Sequence, residues 1–123
     1  MKHLLAVAVI VGLGMSASAQ ALDCNKAVTT PEMNECAAID QKKVETRLNQ
    51  TYQRVMKSLG GSDAETRKKL IEAQRAWIKF READCAAVYQ QHVGGTIRGL
   101  MYSGCMQSRA EQRIKELKQF MEP

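Results

Sequence analysis

An all-α fold is what this sequence predicts: an antiparallel hairpin of two long helices with a third helix packed against it, stapled by two disulfides. Three observations predict it. Apolar residues recur at helical spacing in three separate stretches, and no stretch shows the sustained alternation or β-branched clustering of a strand. Gly-Gly steps at 60–61 and 94–95 punctuate the pattern. Four cysteines lie behind an N-terminal segment with the layout of an export signal.

That segment comes first in the chain. Met1-Lys2-His3 is a short basic start, Leu4 to Met15 is almost unbroken apolar sequence, and Ser16-Ala17-Ser18-Ala19 supplies small residues for cleavage. Residues 1–19 are therefore expected to be a signal peptide, cut near Ala19 or Ala21, leaving 20–123 as one helical domain. The apolar run is well short of the ~20 residues that span a bilayer, so no membrane span is expected. Asp23 stands where a lipidated Cys24 would want a small residue. Cleavage removes Lys2 and no acid, so 18 Lys+Arg fall to 17 against 13 Asp+Glu, a net charge of +4 with His neutral. The expected location is periplasmic or secreted, where disulfides persist.

The first helix is expected from about Thr29 to Leu59. Thr29-Thr30-Pro31-Glu32 has the T-x-x-E spacing of a capping box with proline in the first turn. Ala37, Val44, Leu48, Tyr52, Val55 and Leu59 make one apolar stripe, and Gly60-Gly61 ends it. Ser62 and Glu65 suggest a second capping box opening a helix that runs to about Gln91. Its apolar face is wide: Leu70, Ala73, Trp77, Phe80 and Val88 on one side, with Ile71, Ile78 and Cys85 close beside it. This width suggests contact with two partners. The stretch from Thr96 to Ser103 reads as a loop or short helical turn, followed by a third helix around Gly104 to Phe120 with Met106, Ala110, Ile114, Leu117 and Met121 as its stripe.

Cys24, Cys36, Cys85 and Cys105 allow three connectivities. Local pairs, Cys24–Cys36 and Cys85–Cys105, each close a short loop at a helix end and are favoured. Counting back from the hairpin turn also makes a cross-helix Cys36–Cys85 bond feasible, with Cys24–Cys105 left over. No C-x-x-C redox motif occurs.

Chemistry-bearing constellations are sparse. One histidine, His92, remains after cleavage and has no metal-ligand spacing around it, so neither a metal site nor a cofactor is expected. No phosphate loop or nucleophile turn is present, and carboxylates such as Glu82 and Asp84 read as solvated charges, so no enzyme is expected. An exported chain without an aromatic platform is not expected to bind nucleic acid. Pairing the two long helices about residue 61 places Asn49 near Gln74, and Glu45 near Trp77 and Arg81. Glu45, Asn49, Gln74, Trp77 and Arg81 are thus candidates for a polar core network that fixes helix register, or for a recognition patch.

These segments resemble a known family. Cys24, Thr29-Thr30-Pro31-Glu32 and Cys36, then Leu48-Asn49-Gln50-Thr51-Tyr52, then Ala73-Gln74-Arg75-Ala76-Trp77-Ile78-Lys79-Phe80-Arg81 before Cys85, are similar to the LprI-like lysozyme inhibitor family. Gly94-Gly95-Thr96, Cys105, Arg113 and Leu117 extend the likeness over almost the whole mature chain. Glu45 stands where that family often has Asp. The resemblance implies an exported all-helical binding module whose partner is a lysozyme or another cell-wall-associated protein, blocked by occlusion without turnover. The exposed candidates for insertion are Arg98 and Tyr102, expected at the tip of a loop from His92 to Ser103 that the second disulfide tethers. The alternative is a structural or adaptor domain of the cell envelope using lysines such as Lys42-Lys43 and Lys68-Lys69 on anionic surface polymers.

Overall fold

A computed structural model describes residues 21–61 and 63–122. The leader expected at 1–19 lies outside the described residues, as does Ser62, the expected cap of the second helix. Among the described residues the structure is all-helical: α1 (Thr30–Leu59), α2 (Ala64–Gln91) and α3 (Arg98–Lys118), closed by a 3-10 turn at Gln119–Met121. None of these helices is long and apolar enough to cross a membrane.

Helix α1 starts where its sequence says. Thr29 is extended and its hydroxyl accepts from the Glu32 N–H (3.3 Å), while the Glu32 carboxylate accepts from the backbone N–H groups of Thr29 (3.0 Å) and Val28 (3.1 Å). Backbone donation from Thr29, then from Val28, holds the Glu32 carboxyl below the ordinary carboxylate range. A depressed folded-state pKa means that this contribution to stability is complete above the unfolded value and is lost as pH falls through the lowered one. Glu32→Gln is therefore expected to destabilise the protein at neutral pH and to approach wild type in acid. Urea unfolding at several pH values checks this, and a pH-independent difference between the two proteins would contradict it.

At the other end of α1, Gly60 has φ +40° and ψ −142°, a region that side-chain-bearing residues avoid. Helix α2 is capped by Asp63, whose side chain accepts from the Thr66 N–H at 3.1 Å.

The core shows why α3 is the central element. Val44, Leu48, Val55, Met56 and Leu59 of α1 pack with Leu70 of α2 and with Ala110, Ile114 and Leu117 of α3. Helix α3 lies along α1, running parallel to it, and also contacts α2, whereas α1 and α2 touch each other little. The α1 and α3 stripes read from the sequence are the buried faces. The α2 stripe needs correction. Its buried residues are Leu70, Gln74, Arg81 and Cys85, while Phe80 is 56% exposed and Ile78 is also exposed. With α3 wedged in and α1 held off, α2 is covered along a narrow, partly polar strip instead of a wide apolar one.

Both disulfides are the local pairs. Cys24–Cys36 ties the N-terminal segment to α1, and Cys85–Cys105 joins α2 to α3.

Candidate functional site

The end of the molecule where α2 hands over to α3 carries four of the exposed large apolar side chains, Tyr89, Val93, Ile97 and Met101. Helix α2 stops at His92, whose ring Nδ1 lies 2.9 Å from the Val88 carbonyl, and Gly94 turns the chain with φ +82°. Helix α3 then begins at Arg98, six residues earlier than the sequence pattern suggests. The expectation of a loop from His92 to Ser103, with Arg98 and Tyr102 exposed at its tip, is thus corrected: both lie half-buried in the first two turns of α3. Glycines at 99 and 104 weaken the local helical signal, but Gly99 sits against Asn34 of α1, where an added Cβ would meet the Asn34 side chain at 3.4 Å. Close packing on α1 overrides propensity.

In that helix Tyr102 and Tyr89 of α2 meet edge to face, with ring centroids 5.9 Å apart and planes at 80°. The Arg98 guanidinium lies 3.7 Å from the Tyr89 ring centroid, in cation–π contact. Ala86 joins the two tyrosines around a small apolar depression of about 220 Å³. Val93 (60% exposed), Ile97 and Met101 stand exposed in the same stretch of chain. The Cys85–Cys105 bond anchors both helices behind them. Helix α3 has no side-chain cap and no acid in its first turn, so its N-terminal amides add to the positive charge of Arg98. The Nε of Arg98 and Oδ1 of Asn34 are buried without a hydrogen-bond partner.

The second group of candidates lies in the middle of the molecule. Arg81, its side chain only 8% exposed, forms a two-pronged ion pair with Glu45, as the hairpin count predicts; one prong, to Oε2, measures 3.3 Å. Its guanidinium carbon is 4.7 Å from the Trp77 ring centroid. Arg113 of α3 completes the arrangement. It lies 6.0 Å from the same ring, donates through Nε to Gln74 Oε1 (2.9 Å) and pairs with Glu116 (3.0 Å). Sequence spacing missed Arg113 as a member because its partner, Gln74, depends on how α3 docks, which periodicity does not report. Asn49 stays outside the bonded set, exposed on the rim of an α1–α2 groove that Gln74 also lines. Glu45, Gln74, Trp77 and Arg81 are thus tied into packing.

Several other charged groups are engaged locally. Asp84 lies close to Cys85 and Cys105, but both sulfurs are consumed by the disulfide and Asp84 accepts from Arg109 at 2.7 Å. Of the lysine pairs, Lys43 is engaged by Asp40 (3.3 Å) and Lys69 by Glu72 (3.4 Å), which thins any continuous basic face.

An uncharacterized protein of Rhizobium meliloti (strain 1021) is 33% identical over 110 residues, covering 81% of this chain and 79% of its own length. The crystal structure of a DUF1311 family protein from Pseudomonas putida KT2440 superposes with a TM-score of 0.69 at 20% identity, over 76% of this chain and 95% of that one, which shows a shared fold. The family model described as lysozyme inhibitor LprI matches residues 23–117, beginning beyond the apolar leader, and both disulfides within that span fit an exported protein. The chain belongs to the LprI lysozyme inhibitor family.

Proposed function

We propose that this protein is a periplasmic or secreted module that inhibits a lysozyme by seating its α2–α3 end in the enzyme's cleft, without turnover and without a cofactor. The observation that carries this reading is the Tyr89–Arg98–Tyr102 stack, presented among exposed apolar side chains at a disulfide-fixed end of a member of an inhibitor family. Tyrosine and arginine on a rigid support are the residue types that dominate protein interfaces, because they bury much area at little conformational cost.

Charge supports the same placement. A net charge of +4 gives no long-range attraction toward a basic enzyme. Glycoside cleavage, however, places a pair of carboxylates in the cleft. Arg98 and the uncapped α3 N-terminus form a local positive corner, and the tyrosines beside it exclude water on docking. Short-range complementarity then opposes the unfavourable net charge. Binding to anionic surface polymers, by contrast, would draw on lysines that ion pairs already engage in part.

The test is lysozyme activity against increasing amounts of the purified oxidised protein, at several salt concentrations and with more than one lysozyme type. Saturable inhibition that persists or strengthens as salt rises is expected, since screening weakens the net repulsion. Arg98→Ala with Tyr102→Ala should weaken inhibition about 100-fold, as loss of two central contacts of ~1–2 kcal/mol each would. Unchanged inhibition by a correctly folded double variant would rule this end out.

A further inference from the structure

Because α3 holds α1 and α2 apart, a groove of about 500 Å³ opens between them toward the α1–α2 turn. Met56 and Ile71 give it an apolar floor, and the exposed Ile78 belongs to the same lining. Asn49, Gln53 and Gln74 supply three carboxamides along it, and Gln74, already accepting from Arg113 through its oxygen, keeps its amide donors available. Arg67 and Arg75 also line it. Neither has an ion-pair or hydrogen-bond partner among the described residues, although five other arginines of the described chain do, and no carboxylate lines the groove. An uncompensated pair of guanidinium groups over an apolar floor is a recognition chemistry that the aromatic end of the molecule does not share.

We propose that this groove binds an extended acidic peptide segment of a partner protein, with two of its carboxylates on Arg67 and Arg75 and its main-chain amides on the three carboxamides. The spacing supports a peptide. Eight residues along one helix separate the two arginines by about 12 Å. An extended chain covers about 13 Å in four residues, so acidic side chains four apart reach both. Carboxamides offer a donor and an acceptor each, which suits peptide N–H and C=O groups, and guanidinium groups pair with carboxylates through parallel hydrogen bonds. An acidic glycan fits less well. The one aromatic ring in the lining, Tyr52, is half-buried and packed on the core, so it presents no free stacking platform.

The groove is independent of the lysozyme reading. Arg75 lies fourteen residues before Tyr89 on α2, roughly 21 Å along the helix, so each surface is open while the other is occupied. Failure of one proposal leaves the other standing.

Fluorescence polarisation of the oxidised protein with a labelled peptide tests it. The probe carries two glutamates four residues apart with valine and leucine between them; its twin carries glutamines, and an oligogalacturonate of similar length represents acidic glycans. The glutamate peptide is expected to bind saturably and at least about tenfold more tightly than the glutamine twin. Arg67→Gln with Arg75→Gln should abolish that preference. Lys115→Gln with Lys118→Gln, the same charge removed from exposed positions on α3, should change affinity less than about twofold. Absence of saturable binding, equal affinity for the twin, an equal loss in the lysine variant, or tighter binding of the oligogalacturonate would each overturn the proposal.

Discussion

Alanine at both Cys85 and Cys105 is expected to cost this protein about 3 kcal/mol of stability, and most of its inhibitory potency with it. The bond closes a loop of sequence separation 20. Restricting such a loop in the unfolded chain contributes roughly 3 kcal/mol by the chain-entropy estimate. Cys85 is also completely buried, so its removal leaves a small void as well. Domains of this size have a net stability of about 5–15 kcal/mol, which makes the loss a large fraction of the whole. It corresponds to a fall in Tm of roughly 12–24 °C.

The functional consequence follows from position. Cys85 and Cys105 stand one turn from Tyr89 and Tyr102, so the covalent tie sets the distance between the two rings. Without it the stack must be ordered on binding, at a cost in affinity. The Cys24–Cys36 pair makes a useful comparison. It anchors residues 21–28, which form no helix and contribute nothing to the core cluster. Its removal should lower Tm less and leave the α2–α3 end intact. Thermal unfolding of both double variants decides the matter; equal losses, or a Tm within a few degrees of wild type for the Cys85/Cys105 variant, would contradict this account.

The second large effect concerns Glu45. Replacing it with alanine leaves the Arg81 guanidinium buried, with its Nε already unpartnered and its main countercharge gone. Stranding a buried charge in this way typically costs 3–5 kcal/mol. Because the Glu45 side chain is 28% exposed, water can reach the site, and about 2–3 kcal/mol is expected here. Adding Arg81→Met should recover most of the loss, since an apolar chain of similar length can lie against Trp77 and needs no partner. Urea unfolding of the two single variants and the double variant gives the coupling directly. If Glu45→Ala costs less than about 0.5 kcal/mol, the pair behaves as an exposed ion pair and the network does not hold α2 in place.

What was readable from the sequence divides along a physical line. Helices α1 and α3 bury continuous apolar stripes, so hydrophobic periodicity locates their faces, and the capping box at Thr29 locates the start of α1 to the residue. The two disulfides are the pairs that short loop closure favours. Helix α2 is different. Its covered strip includes Gln74 and Arg81, which count as polar in any periodicity, whereas Phe80 and Ile78 count as apolar and face outward. A face buried through hydrogen bonds and an ion pair leaves no hydrophobic trace.

The candidate sites follow the same division. Simple antiparallel counting brings Glu45 to Arg81, because that contact depends only on the position of the turn. Arg113, and the stacking of Arg98 on Tyr89, depend on how α3 docks against both other helices, which no local pattern encodes. Gly99 and Gly104 also hid the start of α3, since glycine lowers helix propensity whether or not packing compensates for it.

Occlusion of an enzyme cleft by the Tyr89–Arg98–Tyr102 end makes one demand that simple attachment elsewhere on the enzyme does not. The protein and a cleft-filling oligosaccharide cannot occupy the same lysozyme molecule. Titrating the labelled protein against lysozyme preloaded with increasing amounts of an inhibitory chitooligosaccharide tests this most directly. Mutually exclusive binding is expected, with apparent affinity falling in proportion to cleft occupancy. A ternary complex, with affinity independent of the oligosaccharide, would contradict it.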